Sequence, residues 1–235
     1  MSNFTILHLY PETLRLNGEL GNITALVKRA ESFGLSSKVS RLELGGKLPK
    51  TRPNLIFIGS GTLSATKLAA ADLIDKDQEI HRWIAAGTKL LAVGSGFDLA
   101  AKELELPDGE FLQGLGLTNT SHRVTSTHLV GEVVLDSGLA GFINSNRLII
   151  RADSKFALGK VVSSDEAKLV GYVDGYYDGK VMASNVQGPL LPMNPKLADQ
   201  LITSIFPKLP KPKGLTLLNS LASKARGAIS NRVNG

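Results

Sequence analysis

Apolar and polar residues alternate along Phe4-Thr5-Ile6-Leu7-His8-Leu9-Tyr10. That period of two predicts a first strand, ended by Pro11, with His8 packed near its end. From Asn22 to Phe33 the apolar positions Ile23, Leu26, Val27, Ala30 and Phe33 follow a helical stripe, and Gly34 supplies a C-cap. Val39 to Leu44 alternates again as a second strand. Leu55-Ile56-Phe57-Ile58 is apolar throughout, which suits a central parallel strand covered on both faces. It runs into Gly59-Ser60-Gly61-Thr62, and helices are expected over Leu63 to Ile74 and Gln78 to Ala86. Lys89 to Val93 is a further buried strand, ending in Gly94-Ser95-Gly96-Phe97-Asp98 before another helix.

The first 105 residues or so thus read β-α-β-β-α-α-β-α, the rhythm of a doubly wound sheet. Ligands in such sheets bind where strand ends meet helix starts. The glycine turns at Gly59-Ser60-Gly61 and Gly94-Ser95-Gly96 lie at two such junctions. Gly94 occupies the apex of a strand-to-helix elbow, the position that lifts a nucleophile above a sheet in α/β enzymes. Here that position has no side chain.

The second half changes texture. Leu129 to Leu135, Arg147 to Ile150, Leu158 to Val162, Leu169 to Val173 and Lys180 to Ala183 are short strand-like runs between Gly, Asn, Asp and Ser. They predict hairpins, with Asp174 and Asp178 as turn residues. Pro195 to Phe206 is a closing helix, with Asn194 as N-cap and Pro195 at its first turn. Pro207 to Gly214 reads as a stiff basic linker, and Leu215 to Ile229 as a modest amphipathic helix. The expected division is a body over residues 1–206 and an extension over 207–235.

Composition narrows the chemistry. The 235 residues include 43% hydrophobic residues, enough to bury a sizeable core, and no cysteine. Disulfides, thiolate metal sites and a cysteine nucleophile are therefore excluded. The net charge of +6 is local. From Lys208 onward there are six basic residues and no acids; taking those six from the 27 leaves 21 against 21 acids. The excess belongs to the tail, which argues against a nucleic-acid-binding face. It leaves a weak contact between the basic tail and a membrane surface open. No apolar run reaches the roughly 20 residues of a membrane span, and a cytoplasmic location is expected. Four scattered histidines offer no metal-ligand spacing, so neither metal nor cofactor is expected. His81 and His122 are expected at the surface. Gly59-Ser60-Gly61 lacks the Gly-Lys-Ser/Thr of a P-loop.

An ordered set of segments resembles one family. His8-Leu9-Tyr10-Pro11, Gly18-Glu19-Leu20-Gly21-Asn22-Ile23 and Lys28-Arg29-Ala30-Glu31 resemble the start of the GatD-type glutaminase subunit of lipid II isoglutaminyl synthase. Gly188-Pro189-Leu190-Leu191-Pro192, Asn194-Pro195 and Leu197-Ala198-Asp199 resemble its C-terminal signature. Ile56 to Gly59, Leu91 to Val93 and Gly114 to Leu117 fall where that family places strands and glycine turns. The resemblance spans about residues 5 to 206.

It implies a class I glutamine amidotransferase-like, flavodoxin-like α/β fold: three layers, a central mostly parallel sheet and extra β-hairpins in the second half. It also implies a partner. Family members hydrolyse glutamine and hand ammonia to a MurT-like Mur ligase, forming a heterodimer that amidates the peptidoglycan stem peptide. Such chemistry needs a thiolate at the elbow, a histidine to move the proton and amides to hold the oxyanion.

Carried over by position, the catalytic residues are missing. The family's elbow reads Cys-Gly-Gly-Tyr-Gln, and the nucleophile position here is Gly94. The residue directly before Gly188 is histidine in the family and Gln187 here. The family's substrate-gripping arginine corresponds to His128, and the acid of its Gly-Asp-x-Gly-Asn turn to Glu19. An amide such as Gln187 cannot act as a base near neutral pH. The expectation is therefore a catalytically degenerate subunit, inactive alone, with Gly59, Ser60, Gly61, Ser95, Phe97 and His128 around the emptied substrate pocket. Two alternatives stand beside it. One is a sensor that binds a glutamine-like metabolite. The other is an altered hydrolase using Ser95 or Asp98, although Ser95 sits one residue past the elbow and suits a turn residue or N-cap.

Overall fold

In the computed structural model, which describes residues 3–151 and 154–234, two sheets share the chain. The first half supplies β1 (Asn3–Leu9), α1 (Leu20–Ser32), β2 (Ser36–Leu42), β3 (Leu55–Ile58), α2 (Leu63–Leu73), α3 (Asp77–Ala85), β4 (Lys89–Val93) and α4 (Ser95–Ala100). This is the order expected from the apolar patterning. The second half supplies β5 (Glu103–Glu105), β6 (Phe111–Gln113), β7 (Thr120–Leu135), β8 (Ala140–Arg151), β9 (Gly159–Ser164), β10 (Val173–Asp174), β11 (Tyr176–Tyr177), β12 (Val181–Ser184), β13 (Val186–Gln187), α5 (Leu190–Met193), α6 (Pro195–Ile205) and α7 (Thr216–Asn234).

The main sheet has the order β2-β1-β3-β4-β12-β11. Its first five strands are mutually parallel, and β11 joins the edge antiparallel. Alternation along these strands makes two cores. Phe4, Ile6, Leu55, Phe57, Leu91, Val93 and Met182 pack against Ile23 and Leu26 of α1 and Leu201 and Ile202 of α6. Leu7, Leu9, Ile56, Ile58, Leu90 and Ala92 pack on the other side against α2, α3 and α4. The central strands β3, β4 and β12 are buried on both faces and carry no polar alternation, as parallel strands between helical layers require, whereas the edge strand β2 is polar and largely exposed. The three-layer α/β fold is the one expected.

The hairpin sheet lies beyond it and is built on the long β7–β8 pair, with β9 on the other side of β7. Several local readings need correction. Strand β7 begins at Thr120, nine residues before the predicted start, because its exposed positions are polar and mask the period. Leu169–Val173 is not one strand: Ala167–Leu169 forms a 3-10 turn, Gly171 and Tyr172 bond Val161 of β9, and the regular pairing with β9 is Val173–Asp174. Asp178 is a turn acceptor, receiving the Lys180 and Val181 amides. Asp174 is not a surface turn residue. It is buried and accepts from Ser184 Oγ at 2.6 Å and the Asn185 amide at 3.0 Å. Asn194 stands at the N-cap of α6, but its side chain bonds Ala140 N, Ala140 O and Leu190 O, tying α5 and α6 to β8.

The predicted C-terminal helix is present as α7, and it lies on the body. Its inward residues Ala222 and Ile229, and Leu215 just before it, are buried. Arg29, already in a bidentate pair with Asp199 at 2.6 Å, also donates to Asn219. Arg232 forms a second bidentate pair with Glu132.

Candidate functional site

The fold brings three chain segments to one sheet edge. Strands β3, β4 and β12 are parallel neighbours, so the turns that leave their C-terminal ends converge. Those turns carry Gly59-Ser60-Gly61, Gly94-Ser95 and Asn185-Val186-Gln187. Together with β7 and β8 they enclose a cavity of about 300 Å³. Ser60, Gly61, Gly94, Ser95, His128 and Gln187 all line it.

The elbow is intact in backbone terms. Gly94 has φ +59° and ψ −124° and is the N-cap of α4, while its amide donates to Ser184 O at 2.8 Å. Such a conformation is sparsely populated for residues with a side chain and is found at strained functional turns. The space above it, however, is filled. A Cβ on Gly94 would stand 2.7 Å from Ser60 Cβ and 3.0 Å from Gln187 Cδ, with Ser60 Oγ nearer still. Gln187 is held there by its own amide. Its Oε1 accepts from Asn17 Nδ2 at 2.5 Å and its Nε2 donates to Asn185 O at 3.3 Å.

Ser95 is not the N-cap, which is Gly94; it is the first residue of α4. Its Oγ accepts the Gly61 amide at 2.8 Å, so the hydroxyl ties the two glycine turns together instead of meeting a base. Two predicted pocket residues belong elsewhere. Phe97 is fully buried in the core beside α4, its ring edge-on to His122 with centroids 4.5 Å apart. It faces inward because one helical turn cannot present both Ser95 and Phe97 to the cleft. Gly59 lies beneath the cavity, where a Cβ would strike Leu14 O at 2.7 Å.

His128 stands at the exposed rim and meets Asn144 Oδ1 at 2.6 Å. His122, expected at the surface, is buried: its Nδ1 lies 2.7 Å from Asp98 Oδ1. The other oxygen of Asp98 accepts from Arg147 Nε at 2.8 Å. His122 Nε2 continues to Thr120 Oγ1 at 3.2 Å, and Thr120 to Thr118 at 2.7 Å. Asp98 and Arg147 reach the cavity wall, whereas His122 is sealed behind them. One buried carboxylate flanked by an imidazole and a guanidinium is a self-satisfied cluster. Its available sequence signal was the i, i+2, i+4 set Thr118, Thr120 and His122 at and just before the start of β7. Asparagines 17, 144, 146 and 185 complete a cleft dominated by amides and hydroxyls.

Glu19, aligned with the family's turn acid, is buried beside Gly59, where burial pushes its carboxyl up to about 8. Asn22 donates to its Oε2 at 2.8 Å, while Oε1 has no partner. Among the described residues no group of three or more His, Cys, Asp or Glu is placed to hold a metal ion.

Comparison with known proteins agrees with the motifs. The GatD subunit of lipid II isoglutaminyl synthase (glutamine-hydrolyzing) from Streptococcus pneumoniae (strain ATCC BAA-255 / R6) is 27% identical over 211 residues, which cover 86% of this chain and 80% of that protein. The chain is similar to GatD. The corresponding subunit from Staphylococcus aureus (strain N315) is 26% identical, over 86% of this chain and 84% of its own length. A solved structure described as a glutamine amidotransferase superposes with a TM-score of 0.44 at 15% identity, over 85% of this chain and 98% of that one. No family model matches.

Proposed function

We propose that this chain is a GatD-type subunit that no longer hydrolyses glutamine and serves as the structural or regulatory partner of a MurT-like Mur ligase in stem-peptide amidation. The observation that carries the reading is the filled elbow. A chain without cysteine has no thiolate to attack an amide, and Ser60 and Gln187 occupy the space above Gly94. The scaffold motifs remain while the nucleophile, base and substrate-grip positions hold Gly94, Gln187 and His128.

Covalent glutamine hydrolysis requires the thiolate, and proton transfer by the histidine adds roughly 10²–10⁴-fold. Neither source is available, so the ligase takes free ammonia or another donor. The test is an amidation assay of the ligase with and without this chain, fed glutamine or ammonium. Ammonium-dependent amidation helped by the chain supports the reading. Glutamine-dependent ammonia release by the chain itself overturns it, and so does a pull-down without a Mur-ligase-like partner.

A second reading, a receptor for a glutamine-like small molecule, is favoured by Arg147. Asp98 fixes that guanidinium at the wall of a polar cavity sized for an amino acid. A melting-temperature shift with glutamine or glutamate that Arg147→Gln removes would support it.

A further inference from the structure

Cations and leucines lie next to each other at the start of the C-terminal segment. Lys208, Lys211 and Lys213 are exposed on the coil before α7, and Lys224 is exposed within it. No acid occurs from Lys208 to the end of the chain. Leu217, Leu218 and Leu221, on the first two turns of α7, are 69%, 46% and 53% exposed. Leu218 and Leu221 also wall a largely apolar groove of about 460 Å³ between α7, α5 and α1.

The rest of α7 is already engaged. Ala222 and Ile229 face the body, Arg226 donates to Met193 O, and Arg232 pairs with Glu132. The unengaged residues are therefore four lysines and three leucines within 17 positions. Amphipathic segments that lie on bilayers combine basic residues at headgroup depth with apolar side chains at the acyl boundary. A surface with one sign of charge suits a surface of uniformly opposite charge better than the mixed charges of a typical protein partner.

We propose that the Lys208–Lys224 segment docks the chain on an anionic phospholipid surface, with Leu217, Leu218 and Leu221 at the acyl boundary. The inference rests on the proposed function only for its use: a ligase subunit acting on lipid-linked stem peptide gains from proximity to the bilayer. The contact itself is a property of this chain alone and is tested without the ligase.

The measurement is co-sedimentation of the purified full chain with vesicles of phosphatidylcholine, with and without about 30% phosphatidylglycerol, at low and high salt. Binding to the anionic vesicles that weakens with salt is expected. Each lysine contributes about fivefold, so Lys208→Ser, Lys211→Ser and Lys213→Ser together lower partitioning by roughly a hundredfold. These positions lie in exposed coil, and an unchanged melting temperature shows the fold is kept. Leu218→Ser with Leu221→Ser weakens binding at both salt concentrations. No partitioning of the intact chain, or partitioning equal on neutral vesicles, overturns the proposal. So does loss of ligase co-purification in the lysine variant when the intact chain ignores vesicles, since the segment is then a protein-docking surface. Failure of the ligase pull-down alone leaves vesicle binding in place, which separates the two readings.

Discussion

Gln187 Cδ lies where a side chain on Gly94 would have to pass, only 3.0 Å from the Cβ that any other residue would carry. Gly94 follows β4 and Gln187 lies in β13, and the two segments meet because β12, which leads into β13, runs parallel beside β4. The occupants of positions 94 and 187 are therefore sterically coupled. Gly94 leaves room, and Gln187, pinned by Asn17 and Asn185, fills it with Ser60.

Rebuilding the catalytic pair alone is predicted to fail. Gly94→Cys with Gln187→His leaves Ser60 Cβ 2.7 Å from the new Cβ and imposes positive φ on a residue with a side chain. Strain of that kind costs about 1–3 kcal/mol. The double variant should melt below the parent and release no ammonia from glutamine. Adding Ser60→Gly removes the collision and should recover the lost stability in part. Ammonia release by the double variant would show that Ser60 yields more easily than the packing implies.

Asp98 is predicted to be the most sensitive polar residue of the site. It is the shared acceptor for His122 and Arg147, and Asp98→Ala leaves His122 Nδ1 and Arg147 Nε without that acceptor. Breaking a buried pair costs about 3–5 kcal/mol. Asp98→Asn keeps an acceptor and should cost less. Chemical denaturation of the two variants gives the comparison; equal, small losses would mean that water replaces the carboxylate freely.

The centre of the main sheet was legible because β3 and β4 are apolar runs closed by glycine turns, and those turns also named the cleft. The site's interior was not. His122 follows polar residues in sequence, and its partner Asp98 lies 24 residues away in another element. Only the placement of β7 beside α4 joins them. Phe97 was misread because elbow sequence alone does not set which way the first helical turn faces. The filled elbow was equally hidden, since Gln187 and its partner Asn17 are 170 residues apart.

Two buried titratable groups predict opposite pH dependences. Burial raises Glu19 from 4.5 to about 8, so between those values the unfolded chain ionises first and stability falls as pH rises. Burial, aided by Arg41, lowers His8 from 6.5 to about 4, so the unfolded chain holds the extra proton and stability falls as pH drops through that range. The slopes oppose each other between pH 4.5 and 6.5. From about 6.5 to 8 the Glu19 effect stands alone. Glu19→Gln keeps an acceptor for Asn22 and removes the titration. Its advantage over the parent should grow by at most about 1.4 kcal/mol per pH unit in that range. Denaturant midpoints at pH 6, 7 and 8 check this, and parallel curves would reject it.

The C-terminal helix is predicted to open before the body unfolds. Of the 19 residues in α7 only Ala222 and Ile229 are buried, and its polar ties to the body include Asn219 to Arg29, Arg226 to Met193 O, Arg232 to Glu132 and Asn234 to Ser163. The Arg232–Glu132 pair holds the Glu132 carboxyl below its usual range, yet it is solvent-accessible and screened by salt, so it ties the helix down weakly. Strand β3, buried at every position, opens only with the whole fold. Amides of α7 should therefore exchange with deuterium much faster than those of β3, and Glu132→Gln or high salt should speed the α7 amides without touching β3. Equal protection of the two elements would show that the helix belongs to the same cooperative unit as the sheet.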